Sequence, residues 1–296
     1  MGTLFGWILA GVADVSVLDV RPAQVAALAQ GVREENGELR TVRATLRPQD
    51  LFDCDMLMVF VKAQDTLNAM RPFGGNIDPA CVVVSLQNGL GNEEAIKASV
   101  GGRLALVLGV TTEGSTELEP GLVRRSGMGV TVVGGAGASP ATVSWVCELL
   151  TQAGLQTQSV YDIRPQIWGK LVANAAINPV TALLDAPNGI LLEDENAQAL
   201  ARTLALETMR VAEAARVSLP FRDPWEYVSA VASSTATNIS SMLADIRAGR
   251  RTEIEAINGA IATTARRYGL EVPCNEMMLR LVRARERQRA IVATQP

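Results

Sequence analysis

Three short apolar runs set the terms for what this chain can fold into. Asp55–Val61 (DMLMVFV), Ala80–Leu86 (ACVVVSL) and Leu104–Val110 (LALVLGV) are nearly continuous valine, leucine and methionine. A strand with one wet face alternates apolar and polar residues. A run without alternation is buried on both faces, as in a parallel sheet covered by helices. The flanking segments supply the rest of an α/β layer. Residues 3–12 (TLFGWILAGV), Pro22–Gln30 and Pro140–Ala153 read as helices, while Asp14–Asp19 (DVSVLD), Gly129–Gly134 and Leu155–Val160 read as further strands. The three long runs end on polar residues: Lys62, then Gln87 and Asn88, then Thr111 and Thr112. In such sheets ligands bind outside the carboxyl ends of the strands. Each residue alone is an ordinary strand end, but three polar ends on one edge point to a site.

After Tyr161 the strand-like runs stop and helical periodicity takes over. The expected architecture is therefore an α/β domain over residues 1–162 and an all-α domain over residues 163–296. A length of 296 residues accommodates two moderate cores.

Within the helical half, Gln166–Gly189 (QIWGKLVANAAINPVTALLDAPNG) is mostly apolar, yet Lys170, Asn174 and Asn178 recur every four residues. On a helix that spacing makes one slowly turning polar face, with apolar residues on the other sides. Buried amines and amides need partners. They either bind loops and cap neighbouring elements, or they aim a lysine into a polar cleft, where desolvation makes it a usable proton donor near neutral pH. A second dense polar stretch is Thr237–Gly259 (TNISSMLADIRAGRRTEIEAING). Gly249 marks a break between helices, Ser240 and Ser241 suit a helix start, and Thr252 with Glu255 fits a capping box. Glu253 would then sit in a first turn, favoured by the helix dipole, or pair across a cleft with a lysine or a substrate hydroxyl.

Composition narrows the chemistry. There is no histidine, so proton transfer falls to Lys, Tyr, Asp, Glu or Cys, and histidine triads and histidine-ligated metals are excluded. Cys54, Cys81, Cys147 and Cys274 lack metal-ligand spacing and read as reduced, mostly buried thiols of a cytosolic protein. The net charge of −4 argues against general nucleic-acid binding. The basic cluster Arg280–Arg289, interleaved with Leu281, Val282 and Ala284, reads as a solvated helix face. The apolar run Leu4–Ala13 is short, with no positive charge before it, which argues against a signal peptide. No stretch approaches the ~20 apolar residues of a membrane span.

Taken together, several stretches resemble the ketopantoate reductase family (2-dehydropantoate 2-reductases). They are VKA at Val61–Ala63, QNGLGNEE at Gln87–Glu94, WGKLVANAAINPVTAL at Trp168–Leu183, PNG at Pro187–Gly189 and NISSMLADIRAGRRTEIEAING at Asn238–Gly259. The resemblance implies a Rossmann-like parallel-sheet domain followed by a helical domain. It implies NAD(P)H-dependent reduction of 2-dehydropantoate to pantoate, a step of pantothenate and coenzyme A biosynthesis. Its general acid falls on Lys170, and its characteristic glutamate on Glu253, which would hold the lysine and bind the substrate hydroxyl. Asn174, Asn178, Asn188 and Ser241 fall on substrate-binding positions, Ser241 near the carboxylate. Lys62 and Asn88 fall on cofactor-binding positions that meet the nicotinamide ribose and the catalytic region.

The pattern departs at the start. The family opens with a strand and a G-x-G-x-x-G turn that holds the pyrophosphate. This chain begins MGTLFG, so Gly2 matches only the tail of that turn; the expectation is a missing first strand and two exposed strand edges. Asp19 stands near the place of the acid that binds a ribose 2′-hydroxyl, and Arg21 could receive a 2′-phosphate. The family's habit favours NADPH, with NADH possible. The implied partner is a small keto acid, with neither nucleic acid nor membrane, and a homodimer is a possible assembly. Three other readings stay open: a reductase of another 2-keto or 3-keto acid, a non-catalytic member that keeps the fold, and a Schiff-base lysine at Lys170.

Overall fold

The computed structural model describes residues 1–101 and 104–293. The chain divides into two compact units, Met1–Gln87 with Asn92–Ile163, and Asn88–Gly91 with the chain from Arg164 onward.

The first unit opens with α1 (Gly2–Leu9), β1 (Ser16–Leu18), α2 (Pro22–Leu28), β2 (Val32–Glu34), β3 (Leu39–Arg40) and β4 (Arg43–Thr45). It continues through β5 (Met56–Val59), α3 (Thr66–Met70), β6 (Val82–Ser85), α4 (Asn92–Val100) and β7 (Ala105–Thr111). It closes with β8 (Gly114–Glu119), β9 (Leu122–Gly127), β10 (Val130–Gly135), α5 (Pro140–Gln152) and β11 (Gln156–Val160). The main sheet runs β11-β10-β7-β6-β5. All four residues of β6 are buried, as its unbroken apolar run predicts. Strands β5, β6 and β7 are parallel. The uniform parallel sheet expected from the sequence holds only that far: β10 pairs antiparallel to β7, and β11 parallel to β10. The reversal follows from β8 and β9, an antiparallel pair inserted between β7 and β10.

Strands β2, β3, β8 and β9 form a separate sheet in the order β3-β2-β9-β8. Nothing in the apolar pattern announced it. GSTELE and LVRRSG carry charges on largely exposed strands, and ion pairs such as Arg124–Glu35 and Arg125–Glu113 brace them. The third sheet is only β1-β4. Among the described residues, β1 and β5 each end their sheets. Helix α1 packs against residues of both. Val17 lies under Gly6, and the Phe5 ring meets Phe60 at 4.7 Å. Leu4, Phe5, Ile8 and Leu9 join Val84, Val107, Val133, Val146 and Leu150 in one core.

The second unit is helical: α6 (Arg164–Leu184), α7 (Ile190–Glu193), α8 (Glu195–Ala214), α9 (Pro224–Ser234), α10 (Ser241–Arg247), a π-helical turn (Glu255–Gly259), α11 (Ala260–Arg267) and α12 (Pro273–Ala293). Helix α6 is the spine because it is apolar nearly all round. Leu171, Ala175 and Ala182 pack into one cluster with Leu243, Ile254 and Val282. Val172, Ala176, Ile177 and Val180 pack into another with Leu204, Ala205 and Val228. Truncating Leu171 or Leu243 to Ala would open a cavity at a cost of about 2–5 kcal/mol. Asp194 caps α8 and Asp223 caps α9, each accepting two backbone N–H bonds. The buried Glu207 carboxylate accepts from Cys274 N and Asn275 N, which supplies the start of α12.

The capping box expected at Thr252–Glu255 is not formed. Thr252 N–H donates to Glu286, Glu255 turns away to pair with Arg283, and the segment enters a π-helical turn. A distant carboxylate and guanidinium outbid the local cap. On α12, Arg280, Arg283 and Arg287 are exposed and Val282 is buried, as a solvated basic face requires, while Arg285 is half-buried; the Arg289 side chain lies outside the described residues. All four cysteines are free thiols, with Cys81 buried and the others half-buried. No described helix is long and apolar enough to cross a membrane.

Candidate active site

The second unit gathers most of the residues that the sequence singled out. The stripe on α6 deepens along the helix: Lys170 and Asn174 are half-buried and Asn178 is buried. One turn further, the Thr181 hydroxyl donates to Ile177 O and pairs with Ser240 Oγ at 2.8 Å. Ser240 Oγ in turn accepts from Leu243 N at 3.2 Å and so caps α10. The helix-start role of the serine pair therefore belongs to Ser240, while Ser241 is the first residue of α10 and exposed. Asn188 serves the neighbouring loop. Its Nδ2 donates to Thr235 Oγ1 at 3.0 Å and its N–H to Asn238 O at 3.0 Å.

Glu253 is 7% exposed and stands just before the π-helical turn. Its Oε2 accepts from Asn88 Nδ2 at 3.0 Å. Asn88 belongs to the short loop Asn88–Gly91, which packs with the helical unit. Two features hold that loop. Leu90 N–H donates to Ala256 O at 2.9 Å. Gly89 has φ +81°, and a Cβ there would stand 2.4 Å from Ala256 O. Only glycine combines that backbone angle with that closeness. The signal was present in the sequence as QNGLGNEE, but its partner Ala256 was not.

Electrostatics single out Lys170. Burial lowers its pKa to about 8, and the Glu253 carboxylate opposes the fall by favouring the ammonium. At neutral pH the amine is thus charged and yet close to releasing its proton. A proton donor of that strength suits an oxygen that gains charge during reaction.

The first unit holds Gly2, Asp19, Arg21 and Lys62. Asp19 follows β1, and Lys62 follows β5. Gln87 fixes the end of β5, its Nε2 donating to Val61 O and Thr66 Oγ1, both at 2.7 Å. The strand-end threonines are engaged by the next strand: Thr111 Oγ1 meets Thr131 Oγ1 at 2.9 Å, and Thr112 Oγ1 accepts from Val130 N at 2.8 Å. Arg21 is clamped. It meets Asp19 through Nη2 at 3.1 Å and Glu117 through Nη1 at 2.8 Å, so its pKa is raised further by both carboxylates. The Glu117 contact, from β8, had no signal in the sequence.

A nicotinamide dinucleotide fits this donor set. The start of α1 has no side-chain cap, which leaves a helix N-terminus suited to phosphate. Asp19 adds an acceptor for ribose hydroxyls. Among the described residues no group of His, Cys, Asp and Glu could hold a metal ion.

Known proteins resemble this chain along nearly its whole length. The family model described as ketopantoate reductase PanE/ApbA matches residues 1–137, and its C-terminal counterpart matches residues 162–286. A 2-dehydropantoate 2-reductase of Halobacterium salinarum is 35% identical over 97% of this chain and 96% of its own length. One from Archaeoglobus fulgidus is 38% identical over 97% of this chain and 95% of its own. The crystal structure of a PanE/ApbA family ketopantoate reductase from Ralstonia eutropha superposes with a TM-score of 0.89 at 27% identity, covering 97% of this chain and 95% of that one. The residues matched run through the sheet unit and the helical unit alike, and the chain belongs to the NAD(P)H-dependent ketopantoate reductase family.

Proposed function

We propose that this protein reduces 2-dehydropantoate to pantoate, with Lys170 as the general acid. The observation that carries the reading is a half-buried lysine with a pKa of about 8, electrostatically coupled to a glutamate that Asn88 holds in place. Bound NAD(P)H supplies the hydride. As the ketone carbon receives it, the Lys170 ammonium donates a proton to the ketone oxygen, and no free alkoxide accumulates. Glu253 keeps the lysine protonated and accepts a hydrogen bond from the substrate hydroxyl. Asn174 and Asn178 extend the polar stripe along which the substrate lies, and Ser241 at the start of α10 meets its carboxylate. Asn188 contributes through the loop it ties down.

We infer a cofactor preference from the clamp on Arg21. Family habit pointed to NADPH. A guanidinium already shared by two carboxylates offers a 2′-phosphate net negative charge, whereas Asp19 can accept from a 2′-hydroxyl. NADH is the proposed donor.

The test is oxidation of NADH and NADPH, followed by absorbance, with 2-dehydropantoate as oxidant. Lys170→Ala should lower kcat by roughly 10²–10⁴-fold while circular dichroism stays unchanged. A folded variant with full turnover would remove Lys170 from the mechanism.

A further inference from the structure

Two cysteines outside the candidate active site touch each other. Cys54 stands just before β5 and Cys81 just before β6, and their sulfurs are 3.7 Å apart. The entries to the two strands are pinned together. Val82 N–H donates to Asp55 O and Asp78 N–H to Phe52 O, both at 2.9 Å, and the strands run in parallel register from Met56 opposite Val82. Carried back one residue, that register sets Asp55 opposite Cys81, so Cys54 is the diagonal neighbour of Cys81 and the two side chains meet at the strand entries. The two thiols differ in access: Cys81 is 1% exposed, whereas Cys54 is half-buried. Cys147 lies on α5 and Cys274 at the start of α12, on elements remote in sequence from this pair.

We propose that Cys54 and Cys81 are an oxidative modification site, with Cys54 the sulfur attacked by a peroxide and Cys81 the sulfur that resolves it into a disulfide. Their shared hydrogen bond favours ionisation of Cys54 and holds the proton on Cys81. The Cys54 thiolate attacks one oxygen of hydrogen peroxide. An S–O bond forms, the O–O bond breaks, and the departing hydroxide takes a proton to become water. Cys81 sulfur then attacks Cys54 sulfur. The S–S bond forms, the S–O bond breaks, and the second hydroxide leaves with the Cys81 proton as water. The two sulfurs together lose two electrons, and the peroxide gains them. The bridge staples the entries of two strands whose far ends lead to Lys62 and Gln87.

The experiment treats the reduced full chain with hydrogen peroxide, removes the excess with catalase, alkylates in denaturant and maps peptides by mass spectrometry. The expected result is loss of two alkylatable thiols and a Cys54–Cys81 linked peptide lighter by two hydrogens, both reversed by dithiothreitol. In Cys81→Ser, dimedone should label Cys54; in Cys54→Ser, Cys81 should stay alkylatable. Oxidation confined to Cys147 or Cys274, with Cys54 and Cys81 still alkylatable, would overturn the proposal. So would dimedone labelling of Cys81 in Cys54→Ser.

Discussion

At the scale of single residues, the proposed mechanism turns on how a half-buried amine is charged. Lys170 loses solvation on α6, which favours the neutral form, and Glu253 restores part of what burial removes. In the proposed mechanism the acid form is the working form, so kcat should hold on the acid side and fall as pH rises through about 8. Glu253→Gln keeps an acceptor for Asn88 but removes the charge. The Lys170 pKa should then drop further, and the alkaline limb of the pH–rate profile should move to lower pH. A limb that stays in place in that variant would detach Glu253 from the lysine. The placement of these residues is partly legible in the sequence. The four-residue spacing of Lys170, Asn174 and Asn178 placed them on one face, and the family resemblance singled out Glu253. Nothing local showed that Asn88, 165 positions from Glu253, donates to it.

At the scale of elements, the decisive contact is between the Asn88–Gly91 loop and the π-helical turn. Such turns widen the backbone locally and often occur at functional sites. Here Asn258 anchors the turn, its Nδ2 donating to Ala175 O of α6 and to Asn275 Oδ1. Gly89→Ala would force a side chain into a left-handed backbone position and against a carbonyl that cannot rotate away. The strain is on the order of 1–3 kcal/mol, and relieving it displaces Asn88. We expect kcat/KM to fall at least tenfold while thermal melting moves only a few degrees. An unchanged kcat/KM would show that Asn88 does not position Glu253. The sequence marked the glycine but predicted a capped α-helix after Thr252. The capping rule is local, and it lost to Glu286 and Arg283 reaching in from α12.

At the scale of the whole molecule, the proposed preference for NADH rests on a pairing 96 residues apart in sequence, Arg21 with Glu117. Glu117→Ala should free one side of the guanidinium. The ratio of Kd values should shift toward NADPH by roughly tenfold, a difference of about 1.4 kcal/mol, read by fluorescence titration of each dinucleotide. A ratio that does not move would leave Asp19 as the sole determinant.

What the sequence determined by itself was whatever depends on short-range pattern. The unbroken apolar runs specified buried parallel strands, the change of period after Tyr161 specified helices, and the absence of histidine left a lysine as a natural acid. Tertiary structure alone decided the rest. The β2, β3, β8 and β9 sheet joins strands distant in sequence by backbone pairing and braces them with ion pairs, so no hydrophobic period could announce it. The antiparallel turn of β10, the clamp on Arg21 and the closeness of Cys54 to Cys81 have the same origin. Each arises where chain segments meet that share no local code, and the energy of the contact belongs to both partners at once.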